Sequence, residues 1–398
     1  MTGELTKSSS IGASITLAAL ARDPYPIYAR LQAEEPISWI PSLNMYYAVR
    51  YDHVHAMLTE PARFAVGTEH STLFDTFGTH MLTVDSSDHE RYRKEFAPSM
   101  GANSLRNALE DAIARHVDAL IDEFQGQGRV ELRSAFAARL PILTMLSLFG
   151  IPFAREAAVR EWYDSFEAAL ANFEWHDEVR RTAQHNVAAF RAMIREAGER
   201  YRFEKNPGAL LSRLIHSESR LDQAELEQNS LIVFFGGIST VEALILNAVY
   251  ALCSHPQALQ VLRADRGALS AVLDETIRWS GPVQSATRHV VADTSFAGVQ
   301  LREGDIVNCM IAAANRDPTK FADPGRFDIS RAGLRHHLGF AAGLHHCLGS
   351  HLAKLEAKIA LERLLNRLPN WNIDMDAASA PYGSEFRKPR RLELTWNR

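Results

Sequence analysis

The stretch Phe340-Ala341-Ala342-Gly343-Leu344-His345-His346-Cys347-Leu348-Gly349 runs directly into a segment, 350–368, with helical periodicity. Leu348, Leu352, Leu355, Ile359 and Leu365 fall on one face, while Lys354, Glu356, Lys358 and Glu362 fall elsewhere. Cys347 therefore stands where a Gly-containing turn hands over to a helix. Unpaired amide groups and the positive end of the helix dipole stabilise a thiolate there, the form that a metal ligand or a nucleophile requires. Gly343 and Gly349 keep the surrounding backbone free of side chains, so that a flat ligand has close access. For a lone cysteine the competing reading is a small buried hydrophobe at a helix start.

Composition narrows the setting. The chain has 398 residues with no Pro/Gly/Ser-rich linker, which predicts one large domain, 15–398, behind a small, polar and flexible tail, 1–14. A hydrophobic fraction of 46% with 23% charged residues is globular usage, and this length supplies a core large enough to enclose a cofactor. The net charge of -5, with no basic tract, argues against nucleic acid as the main partner. Three cysteines, Cys253, Cys309 and Cys347, lie far apart with no paired spacing, which suits a reducing cytosol. The first residues lack the plan of a signal peptide, and 11–21 is too short to span a bilayer, so a cytoplasmic protein without membrane contact is expected.

Along the chain, 23–32 reads as a helix opened by Pro24, 37–40 and 45–49 as a hairpin, and 51–58 as a further helix. Periodicity fades over 64–81, a loop or a lid over a pocket. Asp85 with Asp88 three positions on predicts a capped helix start, which places His89 and Arg93 on one face. Residues 112–200 are largely helical by period, and their Phe166, Phe173 and Trp175 are candidates for a pocket as well as for core. The most apolar run, 231–252, reads as one buried central helix of about 33 Å. Its Gly236-Gly237 pair costs roughly 1 kcal/mol per glycine, which close approach of a ligand would explain, and Thr240 puts a hydroxyl beside it. Glu275 and Arg278 have the spacing at which carboxylate and guanidinium meet on a helix.

These stretches resemble the cytochrome P450 family, over nearly the whole chain. Phe340, Gly343, His345, Cys347 and Gly349 are similar to its haem-ligand loop, whose proximal ligand is a Cys thiolate. One position departs from the pattern: Ala341 stands where the family usually has Gly. The resemblance implies a mainly α fold with small β-sheets and a long central helix over haem b, its iron bound by Cys347. It implies that His89, Arg93, Arg288 and His345 hold the propionates, and that Glu275, Arg278 and Arg331 form a buried charge network. Gly237 and Thr240 are similar to the family's oxygen-binding groove, in which small residues precede an acid-Thr pair. Here the acid position is Ser239, which can only relay. Glu242, about 60° around the helix and one turn along, is the carboxylate that could feed a water chain, and its other reading is a structural hydrogen bond in the core.

The implied function is mono-oxygenation: one atom of O2 enters a small hydrophobic substrate, by hydroxylation or oxidative dealkylation, and the other leaves as water. No Gly-rich nucleotide fingerprint is present, so electrons are expected from a separate ferredoxin or flavodoxin with its reductase. The expected pocket is lined by Phe74, Phe77, Met81, Phe173, Phe234, Val283, Gln284 and Phe386, in a monomeric enzyme. A peroxide-using variant and a haem-binding sensor or carrier without turnover are the alternatives. A zinc site from His336, His337, His345, His346 and Cys347 lacks paired ligand spacing.

Overall fold

The computed structural model describes residues 11–218 and 221–397. Residues 1–10 of the expected tail lie outside them. Residues 11–14 are not free: Ile11–Ser14 form a 3-10 turn whose Ile11 amide donates to Glu35 Oε2 at 2.6 Å and whose Gly12 amide donates to Ser38 Oγ at 3.2 Å.

After a short helix, Leu17–Arg22, the helix α1 (Tyr25–Glu34) leads into β1 (Ile37–Ile40) and β2 (Met45–Ala48), paired antiparallel through the expected turn with Ile40 opposite Met45. α2 (Tyr51–Thr59) follows. The aperiodic stretch contains a short strand, β3 (Phe64–Ala65), and a helix, α3 (Thr72–Phe77). Next come α4 (Ser86–Phe96), α5 (Ala102–Asp122), α6 (Leu140–Phe149), α7 (Glu156–Leu170) and α8 (Asp177–Phe203). Asp85 stands at the start of α4 but does not cap it. Its carboxylate is drawn away by two stronger claims, the Val66 amide at 2.7 Å and His345 Nε2 at 2.7 Å.

The central apolar run departs from expectation. It forms two helices, α9 (Gln223–Gly236) and α10 (Ser239–Ser254). α9 is opened by a reciprocal cap, in which Asp222 Oδ1 accepts from the Glu225 amide and Glu225 Oε2 from the Asp222 amide. At the break the amides of Gly237 and Ile238 reach back only three residues, to Phe234 and Phe235. Two successive glycines weaken the helix here, and the Thr240 hydroxyl donates to the Gly236 carbonyl at 2.7 Å, taking over a backbone acceptor. The window apolar enough to cross a membrane is 83% buried inside the protein, as a core helix would be.

α11 (Leu269–Ser280), β4 (Ala286–Val290), β5 (Ile306–Cys309), α12 (Ser350–Arg367) and β6 (Lys388–Pro389) complete the framework. The main sheet has the order β1-β2-β5-β4-β3, with β2 and β5 parallel. The large apolar core gathers α5, α6, α9, α10 and α12, and two smaller clusters cover the faces of the sheet.

One ion pair joins α11 to the long irregular stretch before Cys347. Arg278 Nε and Nη2 meet the two oxygens of Glu275 at 2.7 Å each, with both side chains 0% exposed. Glu275 Oε1 also accepts the Asp328 amide at 2.7 Å, and Arg331 lies 3.4 Å away. The remaining Arg278 donors bond to the carbonyls of Asn315, Pro324 and Arg326. A dry pair of this kind is tolerated because every donor has an acceptor, and removal of one partner strands the other. Glu275→Ala should therefore destabilise the protein by about 3–5 kcal/mol, measured by denaturant unfolding.

Candidate active site

The Cys347 loop is closed by its own backbone, since the Cys347 amide donates to the Phe340 carbonyl at 2.8 Å. Gly343 has φ +68, and a Cβ there would lie 2.7 Å from the Leu58 carbonyl, so the loop sits on the end of α2 only because this residue is glycine. Gly349 stands at the N-cap of α12 with open space where its side chain would be. Burial pushes the Cys347 thiol up, while the amide of Gly349, the Arg93 guanidinium and the amide of Ser350 pull it down. Burial outweighs these three, so a bound cation would be required to hold the sulfur as a thiolate. Phe340 packs at the edge of the core beneath the Lys354 ammonium, 5.4 Å from its ring centroid.

Four basic side chains meet near this loop. The His89 and His345 rings are 4.5 Å apart. Both ring nitrogens of His89 and Nδ1 of His345 are buried without a hydrogen-bond partner. Arg288 is 5% exposed and donates to the Thr287 carbonyl, and Arg93 donates to the His346 carbonyl at 2.7 Å. Burial, then His345 and Arg93, push His89 down to about 4. Among the described residues Asp85 is the one carboxylate bonded within this group, to His345. Buried donors left without acceptors have a cost that an anionic ligand would remove, so the arrangement fits a group with acidic arms.

Across the break in the central helix the two glycines part company. A Cβ on Gly237 would meet Met145 Sδ at 2.5 Å, whereas Gly236 is exposed with nothing within 4 Å. The expectation for Gly237 therefore belongs to Gly236: Gly237 backs onto α6, and Gly236 presents open backbone beside Thr240. The neighbouring phenylalanines show the same shift. Phe234 packs between Phe149 and Phe190, away from the other expected lining residues, at 5.2 and 5.0 Å. Phe235 meets Phe77 at 5.1 Å, Tyr163 at 5.2 Å and Phe386 at 6.0 Å. Val283 bridges Phe386. Met81 is buried beside these, and Phe74 is half-buried on α3. Phe173 instead packs against the N-terminal cluster, and Trp175 is exposed. Gln284 is fully buried with Nε2 on the Gly281 carbonyl and Oε1 unpartnered.

Glu242 does not turn toward Thr240. Its Oε1 accepts from Arg133 Nε at 2.7 Å and its Oε2 from Lys388 Nζ at 2.8 Å. Ser239 Oγ donates to Glu167 of α7, which also binds Lys388 Nζ at 2.6 Å. Sequence reading missed Glu167, Lys388 and Arg133, because nothing local distinguishes them from surface charges. Among the described residues no group of three or more His, Cys, Asp or Glu is arranged as a metal site, so the four histidines around Cys347 do not gather into a zinc centre.

Residues 36–369 match the family model described as Cytochrome P450. The cytochrome P450 monooxygenase PikC of Streptomyces venezuelae is 34% identical over 393 residues, covering 95% of this chain and 92% of that protein. The biotin biosynthesis cytochrome P450 of Bacillus subtilis is 29% identical, covering 92% and 94%. The crystal structure of CalO2 superposes with a TM-score of 0.87 at 30% identity, covering 96% of this chain and 97% of that one.

Two predictions come from this geometry. Ala341 has φ +56, a left-handed conformation that costs a side-chain-bearing residue about 1–2 kcal/mol, so Ala341→Gly should raise stability by about 0.5–1 kcal/mol in thermal unfolding. Glu356 on α12 is buried with no partner for either oxygen, and burial pushes its carboxyl up to about 8. The folded protein then holds a proton that the unfolded chain releases at ordinary carboxylate pH. Its contribution is complete below about pH 4 and is lost as pH rises toward 8, with a slope up to about 1.4 kcal/mol per pH unit. Glu356→Gln should flatten that part of the stability profile, measured by urea unfolding at a series of pH values.

Proposed function

The chain belongs to the cytochrome P450 family, whose members use haem iron and O2, and from that premise we propose how its own residues serve a monooxygenase. Cys347 would ligate the iron of haem b, with His89, Arg93, Arg288 and His345 on the propionates. The observation that carries this reading is the half-buried Cys347, its sulfur faced by the amides of Gly349 and Ser350 and by Arg93, beside His89 and His345, where three buried ring nitrogens have no partner.

When bound, haem supplies the activation of O2 by two electrons and two protons, so that one oxygen atom enters the substrate and the other leaves as water. The protein's part is binding, orientation and exclusion of water. The amides near Cys347 would steady the thiolate, and His89, Arg93, Arg288 and His345 would hold the propionate edge by charge-assisted hydrogen bonds. Gly236 leaves room at the break in the central helix, and the Thr240 hydroxyl stands there, held on the Gly236 carbonyl. Phe386 and Val283, backed by the buried Phe77 and Phe235, present apolar surface, which suits a small neutral hydrophobe, hydroxylated or dealkylated. Electrons would come from a ferredoxin or flavodoxin with its reductase, in the cytoplasm, to a monomer whose residues from 15 onward act as one domain.

The ligand assignment has a direct spectroscopic test. The reduced carbon monoxide complex of the wild type should show the strongly red-shifted Soret band of a thiolate ligand, and Cys347→Ala should lose it. A variant that kept the wild-type spectrum would place the ligand elsewhere.

A further inference from the structure

α10 begins with two hydroxyls, Ser239 and Thr240, and a hydroxyl passes on a proton at neutral pH only if an acid resupplies it. The carboxylate nearest in sequence is already occupied. Both oxygens of Glu242 are bonded, to Arg133 and Lys388, and its side chain is 6% exposed. The carboxylate that reaches Ser239 comes from another helix, Glu167 on α7. Its Oε1 accepts from Ser239 Oγ and from Lys388 Nζ. Among the described residues no group is bonded to its Oε2, and the side chain is 20% exposed, so water has access to one oxygen while the other faces the serine.

We propose that Glu167 is the proton-relay carboxylate of this enzyme, supplied from α7 and acting through Ser239 Oγ. This rests on the monooxygenase reading above. Glu167 acts through its bond from Ser239, so it is a positioning and relay residue. Glu167 takes a proton from solvent at Oε2 and, by rotation of the carboxyl, donates it to Ser239 Oγ. Ser239 passes its own hydroxyl proton toward Thr240, and Glu167 returns to the carboxylate. One proton has crossed from solvent to the start of α10, with no net change in the relay.

The charges around Glu167 suit that cycle. From β6, Lys388 neutralises the resting carboxylate, and from α10, Glu242 shares that ammonium. Arg133, from the turn before α6, pairs with Glu242. On α7 itself Tyr163 and Asp164 are the titratable neighbours, Tyr163 held un-ionised by burial with its hydroxyl on the Phe234 carbonyl. Two cations thus balance the two carboxylates of the ion-pair network, so that Glu167 can gain and lose a proton without leaving Lys388 unpaired: Glu242 still holds it.

The experiment uses the haem-loaded full chain. In the resting protein, infrared difference spectra identify the carboxylate band that disappears in Glu167→Gln, and that band should shift in Ser239→Ala. A band indifferent to Ser239→Ala overturns the proposal without any turnover. For turnover the probe is ethoxycoumarin, a neutral aromatic whose dealkylated product fluoresces, with NADH and a reconstituted redox pair. Glu167→Gln should lower product per NADH at least about tenfold while leaving the reduced carbon monoxide spectrum unchanged, and its coupling should no longer vary with pH. Glu167→Asp, which keeps the charge on Lys388, should recover part of it. The double variant Ser239→Asp/Glu167→Ser, which moves the carboxylate onto α10, should recover most of it. Wild-type coupling in Glu167→Gln, or a folded double variant as uncoupled as Glu167→Gln, would make Glu167 a structural tie only. Absence of both the thiolate spectrum and NADH-dependent product in the wild type would instead remove the monooxygenase reading, with the infrared result still deciding the contact.

Discussion

The ion pair of Glu275 and Arg278 is the constraint from which the C-terminal third hangs. Its donors and acceptors are met by backbone groups of Asn315, Pro324, Arg326 and Asp328, a stretch with little regular structure of its own. Asn315, so fixed, accepts the Leu338 amide on its side-chain oxygen at 2.6 Å, two residues before the cysteine loop begins. Gly339 then lies directly on Ile277 of the same helix, where a Cβ would be 2.1 Å from a methyl group. The position of Cys347 is thereby referred back to α11 through a short series of bonds. A loop without helix or sheet bonding gains definition in this way from a charge pair that solvent cannot loosen.

Much of this was legible in the chain, and what was not has a common cause. The cysteine loop and the helix after it, the hairpin of β1 and β2, and the pair on α11 are local patterns, where spacing alone decides which side chains meet. The misplacements all concern rotation or reach. Phe234 and Phe235 are adjacent and equally apolar, so only the break at Gly237–Ile238 determines which of them turns toward Phe386. Gly236 and Gly237 are indistinguishable until Met145 occupies the space beside one of them. Phe173 follows the end of α7, where the loop path carries it to the N-terminal cluster. Glu167, Ser239 and Lys388 come from three distant segments, and no window of sequence contains more than one of them.

Buried polar groups in this protein fall into two kinds. Glu275, Glu242 and Lys388 are fully paired, and their partners account for why charge is tolerated away from water. His89, with both ring nitrogens unbonded at 1% exposure, is not accounted for by any neighbour. Glu356, also unpartnered, meets that cost by keeping its proton, whereas His89 lies beside His345 and Arg93, where an anionic ligand would supply the missing acceptors. The aromatic contacts of Phe235 and the open backbone at Gly236 lie on the opposite side of that requirement: they offer shape without hydrogen bonds.

The order of the clamp residues along the chain bears on how the protein is made. His89 and Arg93 are synthesised first, Arg288 much later, and His345 and Cys347 after all of these. The helices α5, α6, α9 and α10 and the Glu275 pair precede the sulfur in the chain, and α12 follows it. The four basic side chains therefore come together only after His345 has been made.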